Sequence, residues 1–271
     1  MSKIGFIGAG NMAEAIIKGV IDAKLYKSKD IIISDIRPQR VKTICKKYRV
    51  ASAADNCKLT KAADILVLST KPQNMQGVLE EIKGAVEKNL LIISIAAGVT
   101  TKRIQKVLGN VPVVRVMPNT PALIGAGAAA IYATKKAQGK IKDVTRIFSA
   151  VGLAVVVNDE KLIDAVTAVS GSGPAYFFLL MEEMIKTAQK LGLKKELAEI
   201  LVLQTAKGAG LLAVEALKNG QSPDVLRKNV TSPGGTTEAA LKVFSKRKFE
   251  KMVNDALAAA AKRSKELSGG K

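Results

Sequence analysis

Along the first 160 residues, short apolar runs alternate with stretches whose apolar positions recur every three or four residues. In chain order, residues 4–7 predict a strand, 12–23 a helix, 31–34 a strand and 39–48 a helix. β-Branched runs at 65–69, 90–95 and 113–116 suit strands buried on both faces, with helices between them at 75–86 and 101–108. A strand at 126–132, a helix at 137–151 and a strand at 154–157 complete the series. Continuous apolar strands separated by amphipathic helices predict a doubly wound parallel sheet.

The pattern changes after about residue 159. Strand periodicity stops, and long helices are predicted at 172–191, 195–218, 235–244 and 248–265, punctuated by Gly192, Asn219-Gly220 and Ser232-Pro233. The expected organisation is a sheet domain over residues 1–160 and an all-helical domain over 161–271. Ile200-Leu201-Val202-Leu203 and Gly208-Ala209-Gly210-Leu211-Leu212 leave little polar surface per turn. Helices this apolar need a partner surface, and a second subunit is the expected one.

Composition narrows the class. The 271 residues are 48% hydrophobic and 24% charged, ordinary for a globular chain with a sizeable core. The start, Met1-Ser2-Lys3-Ile4-Gly5, enters a strand at once and carries no secretory leader pattern. No uninterrupted apolar run reaches about 18 residues, so a membrane span is not expected and the chain reads as cytoplasmic. Cys45 and Cys57 are expected as free thiols in a reducing compartment. With no histidine in the chain, the usual zinc and copper sites are excluded and no metal is expected. Forty-three basic against 23 acidic residues give a net charge of +20. These lysines are spread along the chain, and only 4% of residues are aromatic, which leaves few stacking platforms for bases. A solvated basic surface is the favoured reading, with a non-catalytic nucleic-acid-binding protein as the rival from another class.

The chemistry-bearing motif opens the chain. Ile4-Gly5-Phe6-Ile7-Gly8-Ala9-Gly10-Asn11-Met12-Ala13 is a strand running through G-x-G-x-x-A into a helix, the dinucleotide-binding start of a Rossmann domain. Gly8 permits the tight turn, Gly10 admits a pyrophosphate, and Ala13 lets the helix lie close to the strand. Asn11 and Met12 open the helix, whose N-terminal N–H groups and dipole favour the phosphates. At the end of the second strand, Asp35 suits the ribose hydroxyls of NAD, whereas Ser34, Arg37 and Arg40 suit the extra phosphate of NADP. The basic loop tilts the expectation slightly towards NADP.

Further stretches resemble the pyrroline-5-carboxylate reductase family over nearly the whole chain. They are Ser69-Thr70-Lys71-Pro72, Ser94-Ile95-Ala96-Ala97-Gly98-Val99, Arg115-Val116-Met117-Pro118-Asn119-Thr120-Pro121, and Asp164-Ala165-Val166-Thr167. Ser170-Gly171-Ser172-Gly173-Pro174-Ala175-Tyr176 and Val230-Thr231-Ser232-Pro233-Gly234-Gly235-Thr236-Thr237 are the most specific. The resemblance implies a Rossmann domain followed by a helical dimerisation domain, with dimers often joined in larger rings. It implies reduced NAD(P) and a cyclic imine acid as ligands. Two positions depart from the family pattern: Ser222-Pro223 where relatives commonly carry His-Pro, and Leu226-Arg227-Lys228 where they carry Leu-Lys-Asp.

Pyrroline-5-carboxylate carries a C=N bond that, once protonated, accepts hydride without a nucleophile or a metal. The protein has to fix the carboxylate and hold the ring nitrogen near the nicotinamide. Gly234 and Gly235 are expected to present backbone N–H groups to that carboxylate, with Ser232 and Thr236 beside them. The resemblance suggests Thr237 as the residue hydrogen-bonded to the ring nitrogen. The alternative is that Ser232 and Thr237 only cap the following helix. Ser170 and Gly171 stand between the domains, where small residues let a helix start pass close to substrate. Lys71, before the helix-opening Pro72, meets cofactor or substrate charge or is simply a surface lysine. Asn56 matches a family position at the adenosine end or is a helix N-cap. Ala96, Ala97, Gly98 and Asn119 end later strands, where they can lie along the nicotinamide. The nearest rivals are a 3-hydroxyacid dehydrogenase or another cyclic-imine reductase. A hydroxyacid dehydrogenase would carry a lysine base in the first interdomain helix, and Gly173-Pro174-Ala175-Tyr176-Phe177-Phe178 offers none.

Overall fold

A computed structural model describes residues 2–269. Its strands and helices run β1 (Ile4–Ile7), α1 (Asn11–Asp22), β2 (Ile31–Ser34), α2 (Pro38–Tyr48), β3 (Ala51–Ser52), α3 (Asn56–Ala62), β4 (Ile65–Leu68) and α4 (Met75–Ile82). They continue with β5 (Leu91–Ser94), α5 (Thr101–Leu108), β6 (Val113–Met117), β7 (Gly127–Ala133), α6 (Ile141–Ser149) and β8 (Gly152–Val156). Helices α7 (Leu162–Val166), α8 (Gly173–Lys190), α9 (Lys195–Lys218), α10 (Pro223–Asn229), α11 (Thr236–Lys246) and α12 (Phe249–Leu267) follow. The described chain divides into two compact units, residues 2–174 with 259–269, and residues 175–258.

The first unit is built on one eight-stranded sheet in the order β3-β2-β1-β4-β5-β6-β7-β8. All neighbours run parallel except β6 and β7, so the last two strands point against the others. β1 pairs with both β2 and β4, which puts the strand-order reversal beside the glycine loop. Open sheets of this kind bind ligands at that reversal, beyond the strands' C-terminal ends.

The apolar runs are continuous because both faces are covered. Ile4, Phe6, Ile31, Ile33, Val67, Ile93 and Val114 point into one core with Ile16, Ile17 and Ile44. Ile7, Ile32, Leu66, Leu68, Ile92 and Val113 point into the other, with Leu79, Ile82 and Ile104. Alternation along each strand thus feeds two cores, and each fully buried Ile or Leu contributes roughly 1.5–3 kcal/mol.

The apolar pattern marks neither the short β3 nor α3, although Asn56 stands in the sequence as a possible helix N-cap. β3 has only two residues, both exposed, so it carries no apolar signature. Between α7 and α8, Thr167–Gly171 winds as a π turn, with the Ser172 N–H bonded to the Thr167 carbonyl at 2.8 Å.

In the second unit α9 buries only Ala198, Val202 and Ala216. Phe177, Phe178 and Leu179 of α8 and Ile200, Leu201, Leu211 and Leu212 of α9 are exposed. Leu162–Lys190 and Lys195–Lys218 are long and apolar enough, by length and composition, to cross a membrane. The expectation of no such segment counted unbroken apolar runs. A few scattered charges interrupt the runs here without offsetting the apolar majority.

Candidate functional site

The strand ends at the reversal gather the glycine loop and its supports. Gly8 has φ +93°, and a Cβ there would stand 2.8 Å from the Ser69 carbonyl oxygen, so no other residue fits without strain. The Gly8 N–H donates to the Ser34 carbonyl at 2.8 Å, and the Ser69 hydroxyl donates to the Gly8 carbonyl at 2.6 Å. Gly10 is different: a Cβ there would meet nothing within 4 Å. That open space lies at the α1 N-terminus, where Gly10 is the N-cap and no side chain caps the helix. A dinucleotide pyrophosphate fits such a cradle, since a side chain at residue 10 would fill it. Asn11 is exposed and Met12 half-buried at the first turn. Thr70 adds a buried hydroxyl with no partner among the described residues, next to exposed Lys71 at the end of β4. Pro72 opens a short 3-10 turn, and Lys71 makes no ion pair among the described residues.

The end of β2 is more committed than its sequence suggested. Asp35 accepts the Ala9 N–H at 2.8 Å through one oxygen and the N–H and Nε of Arg37, each at 2.9 Å, through the other. Burial alone would raise its pKa, but the Arg37 guanidinium and these amides outweigh burial and hold it at about 2. Arg40 donates from Nε to the Ala9 carbonyl at 2.6 Å and from Nη2 to Glu14 at 2.5 Å. Ser34 donates to the Asn56 side-chain oxygen at 2.6 Å, and the Asn56 amide donates to Glu81 at 2.7 Å. Asn56 is therefore not an N-cap. Asp55 caps α3 by accepting the Lys58 N–H.

At the ends of β5 and β6, the predicted nicotinamide contacts are held by the protein itself. Ala96 is buried and Ala97 half-buried. Gly98 has φ +69°, and a Cβ there would lie 2.7 Å from the Leu267 Cβ near the C-terminus. Asn119 donates to the Ser170 carbonyl at 3.0 Å and accepts the Ala128 N–H at 2.8 Å. It thereby ties β6 to β7 and to the π turn. Ser170 donates back to Val166 within that turn at 3.1 Å, and Gly171 lies against Met117.

The sequence reading missed a buried charge network at the same end of β6. Arg115, 2% exposed, meets Glu160 at 3.1 Å and stands 3.9 Å from Asp164. Glu160 also accepts the Thr101 N–H at 2.8 Å and the Thr101 hydroxyl at 2.6 Å. Asp164 accepts the Ser264 hydroxyl at 2.7 Å. The available signal was one arginine inside the β-branched run Val113-Val114-Arg115-Val116.

In the second unit, α11 begins after Gly235 as N-cap, with no side-chain cap. The hydroxyls of Ser232 and Thr237 make no hydrogen bond among the described residues, so neither caps the helix. The glycine amides differ from expectation. Gly234 N–H donates to Glu238 at 2.9 Å, and Gly235 N–H to the Ser232 carbonyl at 3.0 Å. Glu238, three residues past the cap, reaches back as such residues do, leaving the first-turn amides of Thr236 and Thr237 without a described acceptor. The two family departures act together. The Ser222 hydroxyl donates to Asp224, and Lys228 meets the same carboxylate at 3.3 Å. These partners lower the pKa of Asp224.

A glycine cradle on a doubly wound sheet is common to many reductases; comparison over the whole length decides among them. The pyrroline-5-carboxylate reductase dimerisation family model matches residues 160–267. The chain is 45% identical over 268 residues to a pyrroline-5-carboxylate reductase of Pseudomonas aeruginosa, covering 98% of this chain and 97% of that one. This chain belongs to the pyrroline-5-carboxylate reductase family. The solved reductase of Coxiella burnetii superposes with a TM-score of 0.90 at 41% identity, covering 98% of each chain. The Plasmodium falciparum pyrroline carboxylate reductase, solved with NADP bound, gives 0.87 at 33% identity, again over 98% of each chain. Residues 3–98 also match a family described as NADP oxidoreductase, coenzyme F420-dependent. Membership assigns the apolar helices α8 and α9 to a dimerisation domain and sets aside the hydroxyacid dehydrogenase reading.

Proposed function

We propose that this chain reduces the C=N bond of pyrroline-5-carboxylate to give L-proline, working in the cytoplasm as a homodimer that assembles into rings of dimers. The observation that carries this reading is the 45% identity extending over 98% of the chain, through both the glycine loop and the Ser232–Thr237 loop. Gly8, Gly10, Asn11 and Met12 hold the pyrophosphate of the dinucleotide. Arg37, whose side chain is 61% exposed, receives the 2′-phosphate of NADPH, with Ser34 and its hydrogen-bonded partner Asn56 beside it. Asp35, whose oxygens already hold Ala9 and Arg37, is less free to serve a ribose. Arg37, though paired with it, keeps an exposed side chain at the rim, and together these favour NADPH over NADH. Lys71 and Pro72, Ala96, Ala97, Gly98 and Asn119 border the nicotinamide half. When bound, the reduced nicotinamide supplies the hydride.

The helical domain handles the imine acid. The amides of Thr236 and Thr237, at the positive end of α11, receive the carboxylate together with the Ser232 hydroxyl. Gly234 and Gly235 shape that turn. The Thr237 hydroxyl bonds the ring nitrogen and orients it. Threonine is too weak an acid to be the final proton source, so water supplies that proton through it.

The test is oxidation of NADPH and NADH in parallel with pyrroline-5-carboxylate, with proline as the measured product. Turnover with faster NADPH oxidation is expected. Folded protein that turns over with neither cofactor would sink the assignment. Thr237→Ala is expected to lower kcat at least tenfold, and a change within about twofold would remove Thr237 from the mechanism.

A further inference from the structure

Ala9 is the residue between the two glycines of the loop, and both of its backbone polar groups are held by charged side chains from the β2–α2 segment. Its N–H is held by Asp35 at 2.8 Å and its carbonyl by the Arg40 Nε at 2.6 Å. Arg40 is itself anchored. Its Nη2 meets Glu14 of α1 at 2.5 Å, and Glu14 also accepts from Lys47 at 2.8 Å and from the Tyr48 hydroxyl at 2.9 Å. Side-chain exposure is 22% for Arg40 and 18% for Glu14. Burial of Glu14 opposes its ionisation, yet its bonds from Lys47, Tyr48 and Arg40 together bring its pKa to about 2, so the carboxylate stays charged.

We infer that Arg40 is a positioning residue that fixes the pyrophosphate loop through the Ala9 carbonyl and Glu14, and is not a reader of the 2′-phosphate. Composition alone puts Arg37 and Arg40 in one class, as cations next to the adenosine end. Geometry separates them. Arg37 also pairs with Asp35, through Nε at 2.9 Å and Nη2 at 3.1 Å, but its side chain is 61% exposed on the rim. Arg40, 22% exposed, instead spends its guanidinium on the loop backbone and on a helix that begins at that loop. A bond from a charged donor to a backbone carbonyl holds a peptide plane firmly, and a loop held on both sides of one residue presents its amides with little residual freedom. The grip on the pyrophosphate, common to NAD and NADP, therefore depends on Arg40. Discrimination between them falls to Arg37 and Ser34.

This inference rests on the dinucleotide reading and can fail separately from it. The test is equilibrium binding of NADP+, NAD+ and adenosine 2′-monophosphate, which lacks a pyrophosphate, to the full-length chain and its R40Q, E14Q and R37Q variants. R40Q is expected to weaken NADP+ and NAD+ by a similar factor, about tenfold, and to leave the fragment unchanged. E14Q is expected to do the same more weakly, which keeps the inference testable if R40Q folds poorly. R37Q is expected to weaken NADP+ and the fragment and spare NAD+. Loss of NADP+ binding alone in R40Q would overturn the positioning role, as would no change with either dinucleotide. A parent chain that binds neither dinucleotide would instead overturn the reductase reading.

Discussion

At the scale of single residues, the glycine loop shows how two glycines in one motif serve different ends. Gly8 is required by its φ of +93° and by the Ser69 carbonyl 2.8 Å from a Cβ, whereas Gly10 has empty space where a Cβ would go. Gly8→Ala is therefore expected to cost stability, about 1–3 kcal/mol, measurable as a lower urea midpoint. Gly10→Ala is expected to leave stability near the parent and to weaken dinucleotide binding. Equal losses of stability in both variants would contradict this division. The motif itself was legible in the sequence. The occupation of Gly234 by Glu238 was not. The Gly-Gly pair suggests open amides, and only the turn of α11 brings the later carboxylate back over the first of them.

At the scale of elements, the β6 end is held by charge that sits inside the protein. Arg115 is 2% exposed, so losing Glu160 leaves its guanidinium buried with only Asp164, 3.9 Å away, to compensate it. Glu160→Ala is expected to destabilise by about 3–5 kcal/mol, more than Glu160→Gln, which keeps a side-chain oxygen for Arg115 and Thr101. Chemical denaturation of both variants checks it, and equal small losses would show the network to be dispensable. The α1–α2 connection has its own pH signature. Glu14 and Asp35 each have a folded pKa of about 2. Unfolded carboxylates titrate near about 4, so the unfolded state takes up protons first as pH falls. Their contribution is complete above about pH 5 and is lost progressively towards pH 2. The urea midpoint is expected to drop between about pH 5 and pH 3, and less steeply in Glu14→Gln. A parallel slope in that variant would show that Glu14 is not a source of the effect. Most elements could be read from periodicity, because a strand buried on both faces and an amphipathic helix leave different imprints. β3 could not, since two exposed residues have no period, and its place comes from backbone pairing with β2 at Ile32 and Ile33.

For the whole molecule, the exposed apolar faces of α8 and α9 lie in the dimerisation domain. Ile200 and Leu211, 66% and 62% exposed and 11 residues apart on α9, lie on one helical stripe. Substituting both with glutamate is expected to shift the protein from dimer to monomer in sedimentation velocity, with activity falling alongside. A dimer that survives would place its interface on other faces of the helical domain. The sequence by itself determined the alternation that makes the sheet, the glycine turn that makes a dinucleotide site, and the apolar excess that calls for a second subunit. These are local properties, written in period, φ preference and composition. Tertiary structure decided which charged groups meet. Arg40 finds Ala9 and Glu14, 31 and 26 positions away, and Arg115 finds Glu160, 45 positions away. The end of α12 likewise closes on Gly98 and Asp164. Such pairings depend on where the fold carries distant segments, and a charge has no period along the chain to announce its partner.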